Sequence, residues 1–257
     1  MRFIFVLPFC VLAAISAGQK PSDWRPSAVK PADFAKKVDT ALLNLKNALG
    51  QASYRCRFFD GSMGQSDLTN RIRDRKTLRV EFIKVANNNK DPFSNQTIIG
   101  RNGKYTLLSP STGFKSLATG ADPKLFDSSA GALQYWPWHF QQAMFQSFVT
   151  GNGAISRLVA ALTKPGSGYK IRMDSRTMQG NGKSIPQVRI FASRIPALTK
   201  KKGTETIEIV ADTIMWLPLQ VRVDQKDLKG RNAWFEWVTL WKGPVKFEER
   251  WFTTPKK

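Results

Sequence analysis

His139 is the only histidine in the chain, and it lies between Trp138 and Phe140. A metal site built on several imidazoles is therefore excluded, and a packed core histidine is the ordinary reading of that setting. Asp and Glu are scattered, with no local acid pair of the kind glycoside hydrolysis uses, although a pair assembled through space stays open. Serine, histidine and aspartate all occur, but no Gly-x-Ser-x-Gly elbow presents a serine nucleophile. The two cysteines, Cys10 and Cys56, form no paired metal motif and no disulfide framework. Cys56 sits in Tyr54-Arg55-Cys56-Arg57-Phe58, an alternating stretch. Strand alternation aims Arg55 and Arg57 at the face opposite the thiol, so a buried, unreactive Cys56 is expected. These residues argue against an enzyme and against a bound cofactor or metal.

The chemistry that remains is binding. Large apolar side chains gather at mid-chain: Trp136, Trp138, Phe140, Met144, Phe145, Phe148 and Leu158. At helical spacing they either fill a core or line an apolar cavity, and Met144 would adapt to variable contents. Burial of lipid methylenes in such a cavity is worth roughly 0.8 kcal/mol each, so a C16 chain has on the order of 10 kcal/mol available. The second binding signal is charge. The formal net charge is +21, densest at Arg71, Arg73, Arg75, Lys76 and Arg79, at Lys200-Lys201-Lys202, and at Lys256-Lys257. Such a field favours anionic partners. Arg71, Arg73 and Arg75 share one strand parity, with Ile72, Leu78, Val80 and Phe82 on the other, so a solvated basic outer face is expected. No recognisable nucleic-acid-binding motif is present, and nucleic acid is not an expected partner.

The elements that must position these residues read clearly. Residues 1–18 resemble a secretory signal peptide: Arg2, an apolar run from Phe3 to Ile15, then Ser16-Ala17-Gly18. Its loss would take +21 to +20 by removing Arg2. Residues 19–32, with Pro21, Pro26 and Pro31, read as a leader. Roughly 225 residues remain, enough for one large β domain with a substantial core. Phe34, Val38, Leu42, Leu45 and Leu49 predict a helix, with Asp33 near its start and Gly50 as its stop. Strands are predicted over Ser53–Phe59, Leu68–Val85 with a break near Asp74, Gln96–Ile99 and Lys104–Leu108. The last two form a hairpin around Gly100-Arg101-Asn102-Gly103, whose residues tolerate positive φ. Pro137 to Leu162 reads as two helices divided by Gly151-Asn152-Gly153. Strands resume at Tyr169–Asp174 and Val188–Ser193, and the last third, from Glu205 to Pro255, runs as strand after strand. The order helix, strands, helices, strands predicts an α+β fold.

This order of motifs resembles the periplasmic lipoprotein-carrier family, the LolA/LolB-like proteins. The resemblance rests on an amphipathic helix before the strand Ser53–Phe59, and on a basic strand from Arg75 to Val85. That strand leads into Ile98-Ile99-Gly100-Arg101-Asn102-Gly103-Lys104-Tyr105-Thr106-Leu107-Leu108-Ser109-Pro110. An apolar helical insertion follows. The close has an Asp-containing turn before Trp216-Leu217-Pro218, then Val223-Asp224, Gly230-Arg231, Trp234-Phe235 and Phe252…Pro255. The resemblance implies a half-open antiparallel β-barrel, with an N-terminal helix and mid-chain lid helices enclosing an apolar cavity. It implies a domain over residues 33–257, a monomer that carries the acyl chains of a lipoprotein or lipid between membrane-bound donor and acceptor proteins. In the family an Arg-Pro pair before the second strand supplies an arginine that helps close the lid. Here the run is Arg75-Lys76-Thr77-Leu78-Arg79. Arg75 is the closer positional match for that role and Arg79 the second. The alternative function is an envelope sensor or interaction module of the same fold that binds anionic partners without transport.

Overall fold

In the computed structural model, the described residues are 23–84, 97–102, 104–109, 113–117, 153–180, 183–194 and 203–253. They form twelve strands: β1 (Arg25–Pro26), β2 (Ala48–Arg57), β3 (Met63–Asp74), β4 (Thr77–Lys84), β5 (Thr97–Arg101), β6 (Lys104–Ser109), β7 (Gly113–Leu117), β8 (Tyr169–Gly180), β9 (Lys183–Arg194), β10 (Thr204–Asp212), β11 (Pro218–Lys226) and β12 (Asn232–Lys242). Two helices accompany them, α1 (Pro31–Leu43) and α2 (Ala154–Thr163), with a 3-10 turn at Glu249–Phe252. All twelve strands lie in one antiparallel sheet, in the order β1-β8-β9-β10-β11-β12-β2-β3-β4-β5-β6-β7. Among the described residues the two ends of that order do not pair with each other, so the sheet is open.

Alternation splits the sheet into two unlike faces. On the inner face Met173, Ile190, Ile207, Val223, Phe235, Tyr54, Leu68 and Leu78 succeed one another across eight strands, all buried in one hydrophobic cluster. The outer face carries Arg172, Asp174, Arg189, Glu208, Arg222, Glu236, Arg55 and Arg71 at the intervening positions. This is the α+β arrangement that the order of elements predicts, and the open antiparallel sheet agrees with the half-open barrel that the resemblance implies.

Helix α1 covers part of the inner face. Pro31 stands at its first position, where a missing N–H is harmless, and Asp33 lies in the first turn, favourable to the helix dipole. Phe34, Val38 and Leu42 are buried. The helix ends at Leu43, earlier than the apolar spacing predicts, because Asn44 closes the last turn onto Thr40. Leu49 and Gly50 therefore belong to β2. Gly50 is not a helix stop; it makes room for Trp241 on the neighbouring strand, and a Cβ there would lie 2.7 Å from the indole ring. The ring cannot easily retreat, because its N–H donates to the Pro218 carbonyl at 2.9 Å.

The turns follow their residue chemistry. Asn102 takes positive φ (52°) between β5 and β6, as the hairpin requires. Between β10 and β11, the Asp212 carboxylate accepts from the backbone N–H groups of Ile214 and Met215. Trp216 then adopts φ 58°, an uncommon conformation for a bulky residue. It is held there by its ring, which packs edge-on to Phe34 at 6.3 Å with the Lys37 ammonium 4.2 Å above it. This turn thus clasps α1 to the sheet. Cys56 is buried on the inner face and in no disulfide.

A further expectation is corrected. Residues 245–253 do not add strands; they run as irregular chain into the 3-10 turn.

Gly50→Ala should destabilise the protein by about 1–3 kcal/mol through overpacking against Trp241. Urea denaturation would measure it, and an unchanged midpoint would refute the role given to Gly50.

Candidate functional site

The inner face and the two helices on it form the candidate apolar site. Helix α2 presents Ile155, Val159 and Leu162, all at most 2% exposed, to the cluster that holds Phe34, Val38 and Leu42. Leu158 is partly buried and packs on the same cluster. Gly153 precedes the helix with φ 66° and supplies no side-chain cap. The cap comes from α1. Asp39 accepts from the backbone N–H of Ile155 at 3.1 Å, and from the N–H and hydroxyl of Ser156 at 2.8 and 2.6 Å. A carboxylate there satisfies orphan donors and meets the positive end of the helix dipole. One side chain therefore joins the two helices that cover the sheet. The partners are more than a hundred residues apart, so no local sequence signal marks Asp39.

Toward the end of the sheet where β8 begins and β9 ends, the lining turns polar. Glu205, almost wholly buried, accepts from the Tyr169 hydroxyl, from Arg194 at 3.0 Å and from the Gln225 amide. Burial pushes the Tyr169 phenol up, and the charge of Glu205 adds to that. Removing one partner from a buried pair costs about 3–5 kcal/mol, so this cluster resists rearrangement. Cross-strand register assembles it, and spacing along the chain does not reveal it.

The sequence-derived candidates fall in three places. Trp136, Trp138, Phe140, Met144, Phe145 and Phe148 lie outside the described residues. Leu158 is on the inner side with α2. Arg75 is exposed in the turn between β3 and β4, and Arg79 is on the outer face of β4. The sheet thus separates Arg79 from Leu158.

The basic outer face of β3 and β4 is partly covered, with Arg71, Arg73 and Arg79 half-buried. Residues 245–253 form a strap across it. Val245 N–H donates to the Asn47 carbonyl at 2.6 Å. The guanidinium of Arg71 lies 4.3 Å from the Trp251 ring centre and that of Arg73 lies 4.7 Å from Phe252, which is fully buried. Arg79 donates to the Trp251 carbonyl at 3.4 Å and to Glu81 at 2.9 Å, and Glu81 also pairs with Arg71. Glu249 closes the strap onto Arg73 at 2.6 Å and Arg101 at 3.6 Å. The arginine run is therefore a docking surface for the chain's own aromatic residues, worth about 0.5–1 kcal/mol per exposed cation–π contact.

Hydrogen bonding and charge from Arg73 hold the Glu249 carboxyl below its usual 4.5. A depressed folded pKa stabilises the strap above that value, and the contribution is lost as pH falls through the folded pKa. We expect Trp251 emission to shift toward that of exposed indole only below pH 4.5, with Glu249→Gln removing the pH step. A step that survives in Glu249→Gln would refute the assignment.

Among the described residues no group of three or more His, Cys, Asp or Glu could hold a metal ion, and no helix is long and apolar enough to cross a membrane. No protein-family model matches the chain, and no curated protein matches it. Several solved structures are similar to it. A chain of the Pseudomonas aeruginosa MucA/MucB complex is 14% identical over 88% of this chain and 62% of that chain, with a TM-score of 0.41. This chain thus spans about three fifths of that relative's length. LprF from Mycobacterium bovis is 13% identical over 87% of this chain and 98% of that chain (TM-score 0.41). A LolA superfamily protein from Nitrosomonas europaea is 10% identical over 88% and 99% (TM-score 0.34).

Proposed function

We propose that this chain is an exported carrier that shelters the acyl chains of a lipoprotein or lipid against the inner face of its sheet and releases them elsewhere in the cell envelope. The observation that carries this reading is the one-sided sheet: an apolar face continuous over eight strands, in a sheet whose ends, among the described residues, do not meet and whose described cover is helical. An open sheet offers a side entrance that a closed barrel lacks.

The energetics suit reversible loading. Lifting α2 would expose Ile155, Val159 and Leu162, at about 1.5–3 kcal/mol each, so opening costs on the order of 5–9 kcal/mol. A C16 chain gains on the order of 10 kcal/mol by the same coefficient. The two are comparable, so a bound chain is held but not trapped. The Asp39 cap adds about 0.5–2 kcal/mol to the closed form. It is small enough to break in each cycle and large enough to set the exchange rate.

Native mass spectrometry of the protein isolated from its own envelope should show bound acylated molecules. Asp39→Ala should release them about tenfold faster. Protein that carries no acyl group, and binds none on addition of a long-chain fatty acid, would refute the carrier reading. Salt-sensitive binding to an anionic polymer by protein without acyl cargo would instead favour the interaction module.

A further inference from the structure

Polar groups on the inner face of the sheet are mostly satisfied there. Glu205 is met by Tyr169, Arg194 and Gln225, and the Thr239 hydroxyl donates to the Gln51 carbonyl at 3.1 Å. Asn70 departs from that pattern. It is 3% exposed, and its side-chain nitrogen has no hydrogen-bond partner among the described residues.

Register fixes the face on which that amide lies. Along β3, Asn70 shares its parity with Leu68 and Ile72, both buried. Across the sheet it stands opposite Gly50 on β2 and Val80 on β4. Leu68, Ile72 and Val80 all belong to the apolar cluster, so Asn70 is an inner-face residue with apolar neighbours along its strand and beside it. Gly50 contributes no side chain, and the Trp241 ring lies over it. The same cross-strand row continues from Val80 to Ile98. Its two ends, Trp241 and Ile98, are only partly buried. Asn70 is thus a polar group in a strip that reaches the margin of the cluster on both sides.

A buried N–H group with nothing to donate to lowers stability, whereas an apolar side chain of the same shape would carry no such penalty. The penalty is relieved when a hydrogen-bond acceptor is laid against the face. A bare alkyl chain supplies none. The carbonyl oxygen of an ester- or amide-linked acyl chain does. A carboxylate matches less well, because a neutral amide does not offset the cost of burying its charge.

We propose that Asn70 is the polar contact of the apolar face: its amide donates to the carbonyl oxygen of an ester- or amide-linked acyl group, and so selects such groups over plain hydrocarbon. This inference rests on the carrier reading and names the chemical class of the cargo. The apolar strip around Asn70 holds the methylenes without regard to their head, and the single donor within it sets where along the face the linkage comes to rest.

The test offers methyl palmitate and octadecane, delivered from cyclodextrin, to the full exported chain freed of cargo. Native mass spectrometry reads the occupancy by each. Wild-type protein should bind the ester at least about fivefold more tightly than the alkane, the size of one recovered hydrogen bond. Asn70→Leu, close to asparagine in shape, should lose that preference and keep its alkane binding within twofold. Asn70→Ser retains a donor and should retain part of the preference. With a carbon-13 carbonyl, the bound ester should absorb at lower wavenumber in wild type than in Asn70→Leu, a shift that a merely structural role would not produce. Equal binding of ester and alkane by wild type would overturn this inference alone. So would a preference that survives unchanged in Asn70→Leu. Binding of neither ligand by wild type would refute the carrier reading, and this inference with it. If Asn70→Leu does not fold, the smaller Asn70→Val decides by the same criteria.

Discussion

An open sheet with one apolar face must be covered by something other than itself. That constraint organises this protein. A closed barrel hides its inner face by returning to its first strand, whereas among the described residues the order runs from β1 to β7 without closure. The cover is α1 and α2, and their attachments are few and specific. Trp216, in an uncommon backbone conformation, clasps the start of α1, and Asp39 caps the start of α2 from α1. Removing surface of this size from water is the dominant stabilising term. The polar contacts decide which helices cover the face and how easily one of them lifts.

The outer face solves a different problem. A protein with forty Lys and Arg against nineteen Asp and Glu must place many cations where they do not repel one another. Across β8 to β12, arginines alternate with acidic residues in a ladder of ion pairs, each weak where exposed. Across β3 to β5 the arginines have fewer acids, and the aromatic strap of residues 245–253 takes their place. Arg71 and Arg73 each face one ring of that strap, while Glu249 joins the strap to two strands. The result is a charged outer face behind an apolar inner one.

Much of this was legible in the chain. Alternation along 204–242 announced the strands, the helical spacing of Phe34, Val38 and Leu42 announced α1, and the Gly–Asn turn at 100–103 announced a hairpin. What escaped was set by partners remote in sequence. Leu49 and Gly50 continue the helical spacing, yet pairing with β12 claims them for a strand. Trp251 and Phe252 have strand-like composition, yet arginines on β3 hold them as a strap. Asp39 looks like one more charge on a polar helix face until α2 arrives beside it. Periodicity reads which side of an element is apolar, but not which distant group satisfies a polar one. The mid-chain aromatics from Trp136 to Phe148 were the most visible candidates for the apolar site, and they lie outside the described residues; Leu158 is the candidate that the structure places on the inner face.

The central claim is that acyl chains lie against the inner face of the sheet. Photo-crosslinking with a diazirine-bearing palmitate, followed by peptide mapping, tests it most directly. The account predicts adducts at the partly buried margin of the apolar cluster, at Ile98, Leu158, Tyr169 and Ile171. It predicts none among the ion pairs of the outer face. Adducts confined to the outer face, or spread without preference over both faces, would contradict it.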